Sequence, residues 1–430
     1  MSEVDARAER RAADAEAILR AAIAAADPAP HVRAALAAAP ALAAAPRLHL
    51  LALGKAAAVM TRTALDALPR APQDALVIVP RGTEAAFGPG VRVLHAGHPV
   101  PDATSLAAGE AAVGLLTAAG RDDLVLALVS GGASSLCTLP LDGIGIDEYA
   151  GLVRALLQAG ADITELNTVR AHIDLLKGGG MARLAAPARV FALLISDVVH
   201  SPLHVIASGP FSPPVTTPSA ALGVLEKYGL EAAAPGALRA GLEASPIGYE
   251  HVTVRVILDN RTAIGGAARA AAQLGYDVFV DEQPLTGPSR DAAAHIVSRA
   301  IGTAESLVSS DTRMCLLWGG ETTVVVSGAG TGGRNQELAL KAAVALRGVA
   351  RITVGSIGTD GVDGPTDAAG AVADGGTCAR GAHAGRDAEL SLQHNDSHTF
   401  FAHAGGLIRT GATGTNVMDV QVALVDPPYS

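Results

Sequence analysis

Residues 124–137 read LVLALVSGGASSLC: six apolar residues, two glycines set among serines, then a return to apolar character. An unbroken apolar run of that length suits a strand buried on both faces, as in a parallel sheet covered by helices. The Ser-Gly-Gly that ends it marks a turn into a helix. The same grammar surrounds it: RLHLLALGKAAAVM (47–60), ALVIVPRG (75–82), VRVLHAGHPVPD (91–102) and ARVFALLISDVV (188–199). Strands and helices alternating at this spacing imply βαβ units with right-handed crossovers.

A stretch rich in Pro, Ala and Ser over about 212–250 reads as a domain junction. A second α/β series follows, with apolar runs in HVTVRVILDN (251–260), YDVFVDEQPL (276–285), RMCLLWGGETTVVVSG (313–328) and RITVGSIGTDG (351–361). At 430 residues the chain exceeds one comfortable core. The expectation is two α/β domains with mainly parallel sheets, over 1–240 and 241–430. The first is read as Rossmann-like.

Composition narrows the partners. A net charge of −10 disfavours nucleic acid and anionic membranes. No apolar run approaches the roughly 18 residues of a membrane span, and the N-terminus mixes acidic and basic residues without an apolar core, so a cytoplasmic protein is expected, monomer or homodimer. Cys137, Cys315 and Cys378 form no CxxC pair and read as packed thiols. Only Lys55, Lys177, Lys227 and Lys341 are lysines among many arginines, so Lys55 and Lys177, both in glycine-containing loops, stand out as compact point charges.

In a parallel sheet, ligands bind where strands end and helices begin. Ser130, Gly131, Gly132, Ser134 and Ser135 lie at such a point, and small residues with hydroxyls suit an anion cradle; a tight turn with a capping serine is the plain alternative. Asp197 ends an apolar strand and suits a metal ligand or a general base. Gly328, Gly330 and Gly333 have the G-x-G-x-x-G spacing of a dinucleotide loop, but Arg334 and Asn335 follow directly and no acidic residue stands about 20 positions on. An arginine there suits a phosphate or carboxylate. TDGVDGPTD places Asp360, Asp363 and Asp367 in one loop, able to hold Mg²⁺ or, more commonly, forming a solvated turn. No Walker A sequence and no G-x-S-x-G elbow occur.

Taken together, LALGKAA (51–57), GHPVPD (97–102), LVSGGASSL (128–136), LNTVRAHIDLLKGGGMA (166–182), GGETTVVVSGAGTGGRNQELAL (319–340), GTDGVDGPTDAAGAV (358–372), NDSHTFF (395–401) and TGATGTNVMDV (410–420) resemble the glycerate 2-kinase family, in family order. That family joins a Rossmann-like domain to a MOFRL domain. The resemblance implies an ATP- and Mg²⁺-dependent kinase that converts D-glycerate to 2-phosphoglycerate in a cleft between its domains. It carries the family's catalytic lysine onto Lys55 and its arginine onto Arg334.

On that reading Lys55 and Arg334 neutralise the moving phosphoryl group and the glycerate carboxylate, and Asp197 orients or deprotonates the C2 hydroxyl. Ser130, Gly131, Gly132, Ser134, Ser135, Glu321, Gly332, Gly333, Asn335 and Asp363 contact nucleotide or substrate. Asp360 and Asp367 hold the metal. The rival is an NAD(P)-dependent hydroxypyruvate reductase, a label attached to relatives of the family, which would use the GAGTGG loop. The chain departs from the family at His200-Ser201, where Gly-Asp is usual, at Phe211, where Thr or Ser is usual, at Pro288, and at Ala412.

Overall fold

The structure, a computed structural model, describes residues 3–233, 236–239, 248–307 and 311–428. The expected junction at 240/241 lies outside the described residues. The chain divides into two compact units, Pro28–Leu258 and the pair of segments Met1–Asp27 and Asp259–Ser430.

In the first unit six strands form one parallel sheet: β1 Leu48–Leu53, β2 Asp74–Pro80, β3 Val91–Ala96, β4 Leu124–Val129, β5 Arg189–Ile195 and β6 Val252–Leu258. Their order is β3-β2-β1-β4-β5-β6. This is the doubly wound Rossmann order, and its direction reverses between β1 and β4. Every residue of β1 and β4 is buried, as their unalternating apolar sequences require. The run 252–258, expected to head the second series, is instead the sixth strand of the first sheet.

The second unit departs from the mainly parallel sheet expected of it. Its strands are β7 Asp277–Val280, β8 Leu285–Pro288, β9 Met314–Thr323, β10 Ile352–Gly358, β11 Gly370–Asp374, β12 Leu407–Ile408 and β13 Asp419–Val425. They run β12-β11-β10-β13-β9-β7, with β8 also on β9. Among the described residues, only the β7–β9 and β8–β9 pairs of this sheet are parallel. The β10–β11, β11–β12, β10–β13 and β9–β13 pairs are antiparallel. Between β10 and β11 the chain turns back through the 359–369 loop with no helix, and an antiparallel neighbour needs no crossover.

The N-terminal helix Glu3–Ala25 belongs to this second unit. It lies against the helix Asn260–Gln273 so closely that a Cβ on Gly266 would strike Ala25. Arg11 is fully buried there; its guanidinium meets Asp426 at 2.7 Å and Thr353 Oγ1 at 3.2 Å, and reaches the Ala350 carbonyl. Among the described residues, no helix is long and apolar enough to cross a membrane. All three cysteines are buried and unpaired, and burial pushes the Cys137 and Cys315 thiols up to about 12.

Removing one partner of a buried ion pair leaves an uncompensated charge, at a cost of about 3–5 kcal/mol. Arg11→Ala is therefore expected to accelerate amide hydrogen exchange in β10 and β13 by orders of magnitude while β1 and β4 exchange as before. Unchanged protection in β13 would refute the role given to this pair.

Candidate active site

At the carboxyl end of β1 the chain must turn at once, and Gly54 does so with φ of 118°. A side chain at Gly54 would collide with Ser130, which ends the neighbouring strand β4. Ser130 is buried; its hydroxyl accepts from the Ala56 N–H at 3.0 Å and donates to the Leu53 carbonyl. The Lys55 N–H in turn donates to the Gly131 carbonyl at 2.9 Å. The loop carrying Lys55 is thus strapped to the loop carrying Gly131 and Gly132.

Two further groups meet the same loop. A Cβ on Gly131 would collide with the Asp197 carboxylate from the end of β5. A Cβ on Gly132 would lie 3.1 Å from the His98 ring and 3.4 Å from Lys55 Cγ. Burial, and then the Lys55 charge, lower the His98 pKa below that of a free imidazole. Lys55, Gly131, Gly132, Ser134, Asp197 and His98 therefore gather at the carboxyl ends of β1, β3, β4 and β5.

The serines of this loop differ from the donors expected of them. Ser130 donates to Leu53, as above. The Ser135 hydroxyl donates to the Gly132 carbonyl at 3.1 Å. Ser134 lies 2.8 Å from the Ser208 hydroxyl. The hydroxyls knit the loop to its surroundings.

In the second unit Arg334 opens the helix Arg334–Ala345. Its guanidinium forms a bidentate fork with Asp419, at 2.7 and 2.9 Å, and a third contact to Glu321 at 2.9 Å. Burial works against the Arg334 charge, but Asp419 and Glu321 outweigh it and raise the pKa, so the cation is permanent. Asp419 is itself fully buried at the start of β13. Desolvation there lifts its carboxyl to about 7 against the pull of Arg334. Two of the guanidinium N–H groups are hydrogen-bonded to Asp419, and the Nη1 end pairs with Glu321.

Other residues expected to touch ligand hold this helix start. Asp363 is buried and accepts from the Asn335 and Gln336 backbone N–H groups at 3.1 and 2.9 Å and from both side-chain amides. Burial nonetheless raises its pKa. Asn335, fully buried, also accepts from Ser356. Gly333 admits Asp363, and Gly332 admits Ser397, where any Cβ would collide. Asp360 lies beside Asp419 and Asn335 around Gly358. Asp367 is exposed and drawn off to Arg409 and His398, both at 2.8 Å.

The glycine-spaced loop holds no dinucleotide cradle. The Ser327 and Gly328 N–H groups both donate to Asn395 Oδ1 at 2.9 Å. Gly330 donates to the His394 carbonyl, and Thr331 to Asp396. Side chains at Gly328 and Gly330 would collide with the backbone of the 394–396 turn. These glycines allow two loops to touch, and the Ser327, Gly328, Gly330 and Thr331 N–H groups are taken up by that contact.

Two family models match this chain, the domain of unknown function DUF4147 over residues 14–243 and the MOFRL family over residues 314–419. It is 39% identical over 379 residues to the D-glycerate 2-kinase of Thermotoga maritima, covering 88% of this chain and 91% of that one. It is 36% identical over 392 residues to the glycerate 2-kinase of Pyrococcus horikoshii, covering 88% and 87%. The crystal structure of the Thermotoga maritima glycerate kinase superposes with a TM-score of 0.88 at 37% identity, over 97% of this chain and all of that one. The chain belongs to the glycerate kinase family.

Within this glycerate kinase fold, sequence reading passed over several residues of the two clusters. Asp419 is the partner that orients Arg334; the one signal for it is a carboxylate opening the apolar run VQVALV. His98 has no local signal beyond the proline-bounded GHPVPD in which it stands. Asn395 and Asp396 fix the glycine loop through contacts more than 60 positions apart, which no local pattern announces. His200 and Ser201, which depart from the family, both have positive φ, of 59° and 51°, a conformation that glycine adopts without strain.

Asp363→Ala removes four hydrogen bonds to a buried carboxylate and strands their donors. A loss on the order of 3 kcal/mol is expected. The buried Trp318, the chain's one tryptophan, reports it by fluorescence during urea unfolding. A change below about 0.5 kcal/mol would contradict this assignment.

Proposed function

We infer that this glycerate kinase family member transfers the γ-phosphoryl group of ATP to the C2 hydroxyl of D-glycerate, giving 2-phosphoglycerate. The observation that carries the reading is the convergence of Lys55, the Gly131-Gly132 turn and Asp197 at the switch point of the Rossmann-order sheet. A compact cation, main-chain N–H groups and a carboxylate are what phosphoryl transfer asks of a protein, because positioning and charge stabilisation supply most of its catalysis.

Lys55 stabilises negative charge on the transferring phosphoryl oxygens. Gly131 and Gly132 let main-chain donors approach phosphate without side-chain interference. Asp197 orients the attacking hydroxyl and accepts its proton as the O–P bond forms. Arg334, held by Asp419 and Glu321, offers its guanidinium to a carboxylate or phosphate.

Mg²⁺ enters as part of the ATP substrate and neutralises phosphate charge. Among the described residues no cluster of three or more His, Cys, Asp or Glu could cage a metal. A phosphate-bound Mg²⁺ needs only one or two carboxylates. Asp360 suits that role, with one oxygen taken up by the Val362 N–H. Asp367, neutralised by Arg409 and His398, does not. Three buried thiols and an ATP substrate fit a reducing compartment, the cytoplasm.

ADP release from Mg·ATP is expected with D-glycerate, and ³¹P NMR should place the phosphate on C2. Lys55→Ala and Arg334→Ala should each lower kcat by about 10²-fold or more with the fold retained. Near-normal turnover in either variant rejects its role. NADH oxidation with hydroxypyruvate in the absence of ATP would restore the reductase reading.

A further inference from the structure

Beside the Gly131-Gly132 turn, a relay of three side chains fixes the direction of a proton. Asn167, buried in the helix Ile163–Ile173, donates through Nδ2 to the Val205 carbonyl at 3.3 Å. A carbonyl accepts only from the NH₂ end of an amide, so Asn167 presents Oδ1 to Ser208, at 2.8 Å. An amide oxygen has no proton to give, so the Ser208 hydroxyl is the donor in that bond. The single proton of Ser208 is then used. Ser134, 2.8 Å from Ser208 Oγ, must therefore be the donor in the next bond.

We propose that Ser134 turns lone pairs toward the ligand and reads an alcohol hydroxyl of a substrate, not a phosphate oxygen. A phosphoryl oxygen of ATP carries no proton to offer, and faces only repulsion from a serine oxygen whose own proton points inward. A hydroxyl donor completes the chain, each member donating to the next. Ser134 is half-buried, whereas Ser208 is fully enclosed.

The backbone holds the relay in place at some cost. Ala207 and Ser208 have φ of 52° and 61°, and Gly209 follows at 62°. Left-handed conformations at non-glycine residues are strained and persist only where their surroundings enforce them. Here the Gly178 and Gly179 N–H groups grip the Ser208 and Gly209 carbonyls at 3.0 and 2.7 Å, and the Ala182 N–H grips Pro210. The strained turn aims the Ser208 hydroxyl between Asn167 and Ser134. Ser208 and Asn167 are thus positioning residues, and Ser134 is the group that touches substrate.

The inference rests on the kinase reading and names two sources for the hydroxyl: the C3 hydroxyl of glycerate or a ribose hydroxyl of ATP. The test compares kcat/KM for D-glycerate with D-lactate, which lacks the C3 hydroxyl, and for ATP with 2′-deoxy- and 3′-deoxy-ATP. Wild type, Ser134→Ala and Ser208→Ala are measured, each checked for native circular dichroism and melting. In wild type, one hydroxyl-deleted analogue should lose about tenfold or more, because a site built to accept that proton is left unpaired. Loss with D-lactate assigns the acid, and loss with a deoxynucleotide assigns the ribose.

Ser134→Ala should abolish that discrimination, bringing kcat/KM for the intact substrate down toward that for the deleted analogue. Ser208→Ala, which frees the Ser134 proton to turn outward, should weaken the same discrimination. If Ser134→Ala slows every substrate by one factor, or if Ser208→Ala leaves discrimination intact, the inference fails and the kinase reading stands. Absence of ATP-dependent turnover of glycerate in wild type would overturn both.

Discussion

The first unit's site depends on a contact that only a missing side chain allows. Gly131 brings its Cα against the Asp197 carboxylate, and Gly54 brings its own against Ser130, so three strand ends meet within a few ångströms. The parallel sheet delivers β1, β4 and β5 side by side with their carboxyl ends on one edge. Glycine closes the remaining gap. Lys55 and Asp197 then face a turn whose main chain is bare, and the Ser130 and Ser135 hydroxyls around it are turned to structural use. Positive charge, main-chain donors and a carboxylate meet without a metal cage or a Walker A loop.

The second unit uses a different device. There a guanidinium is fixed by two carboxylates, and the helix it opens is fixed by a third, Asp363. Arg334 keeps its charge because Asp419 and Glu321 offset its desolvation. Such a clamp limits the rotamers open to a long side chain before any ligand arrives, so less conformational freedom is lost on binding. The neighbouring glycines serve loop packing against the 394–397 turn, which explains how a dinucleotide-like spacing arises with no cradle behind it.

Strands buried on both faces were legible from composition alone: LVLALV and LHLLAL have no alternation because helices cover both sides of the sheet. The loops after those strands were legible too, since small residues at strand ends mark close approach. Strand direction in the second unit was not, because a run such as GAVAD reads alike whichever way it pairs. The strand 252–258 was misplaced for a related reason: a polar junction precedes it, yet its pairing with β5 is a long-range choice. Asp363 and Asp419 show the same limit at the site. A carboxylate in a Gly/Pro loop or at a strand start has no sequence mark separating a buried anchor from a ligand contact.

The central claim is that the bare main chain at Gly131 allows Asp197 and the phosphate donors to share one place, and substitution of that residue by alanine tests it most directly. A Cβ there must displace the carboxylate, since the clash is with its side-chain oxygen and carbon and the loop is strapped on either side. Gly131→Ala is expected to melt near wild type and to lose turnover of D-glycerate with Mg·ATP by about 10²-fold or more. Turnover near the wild-type rate in a correctly folded Gly131→Ala protein would contradict the account.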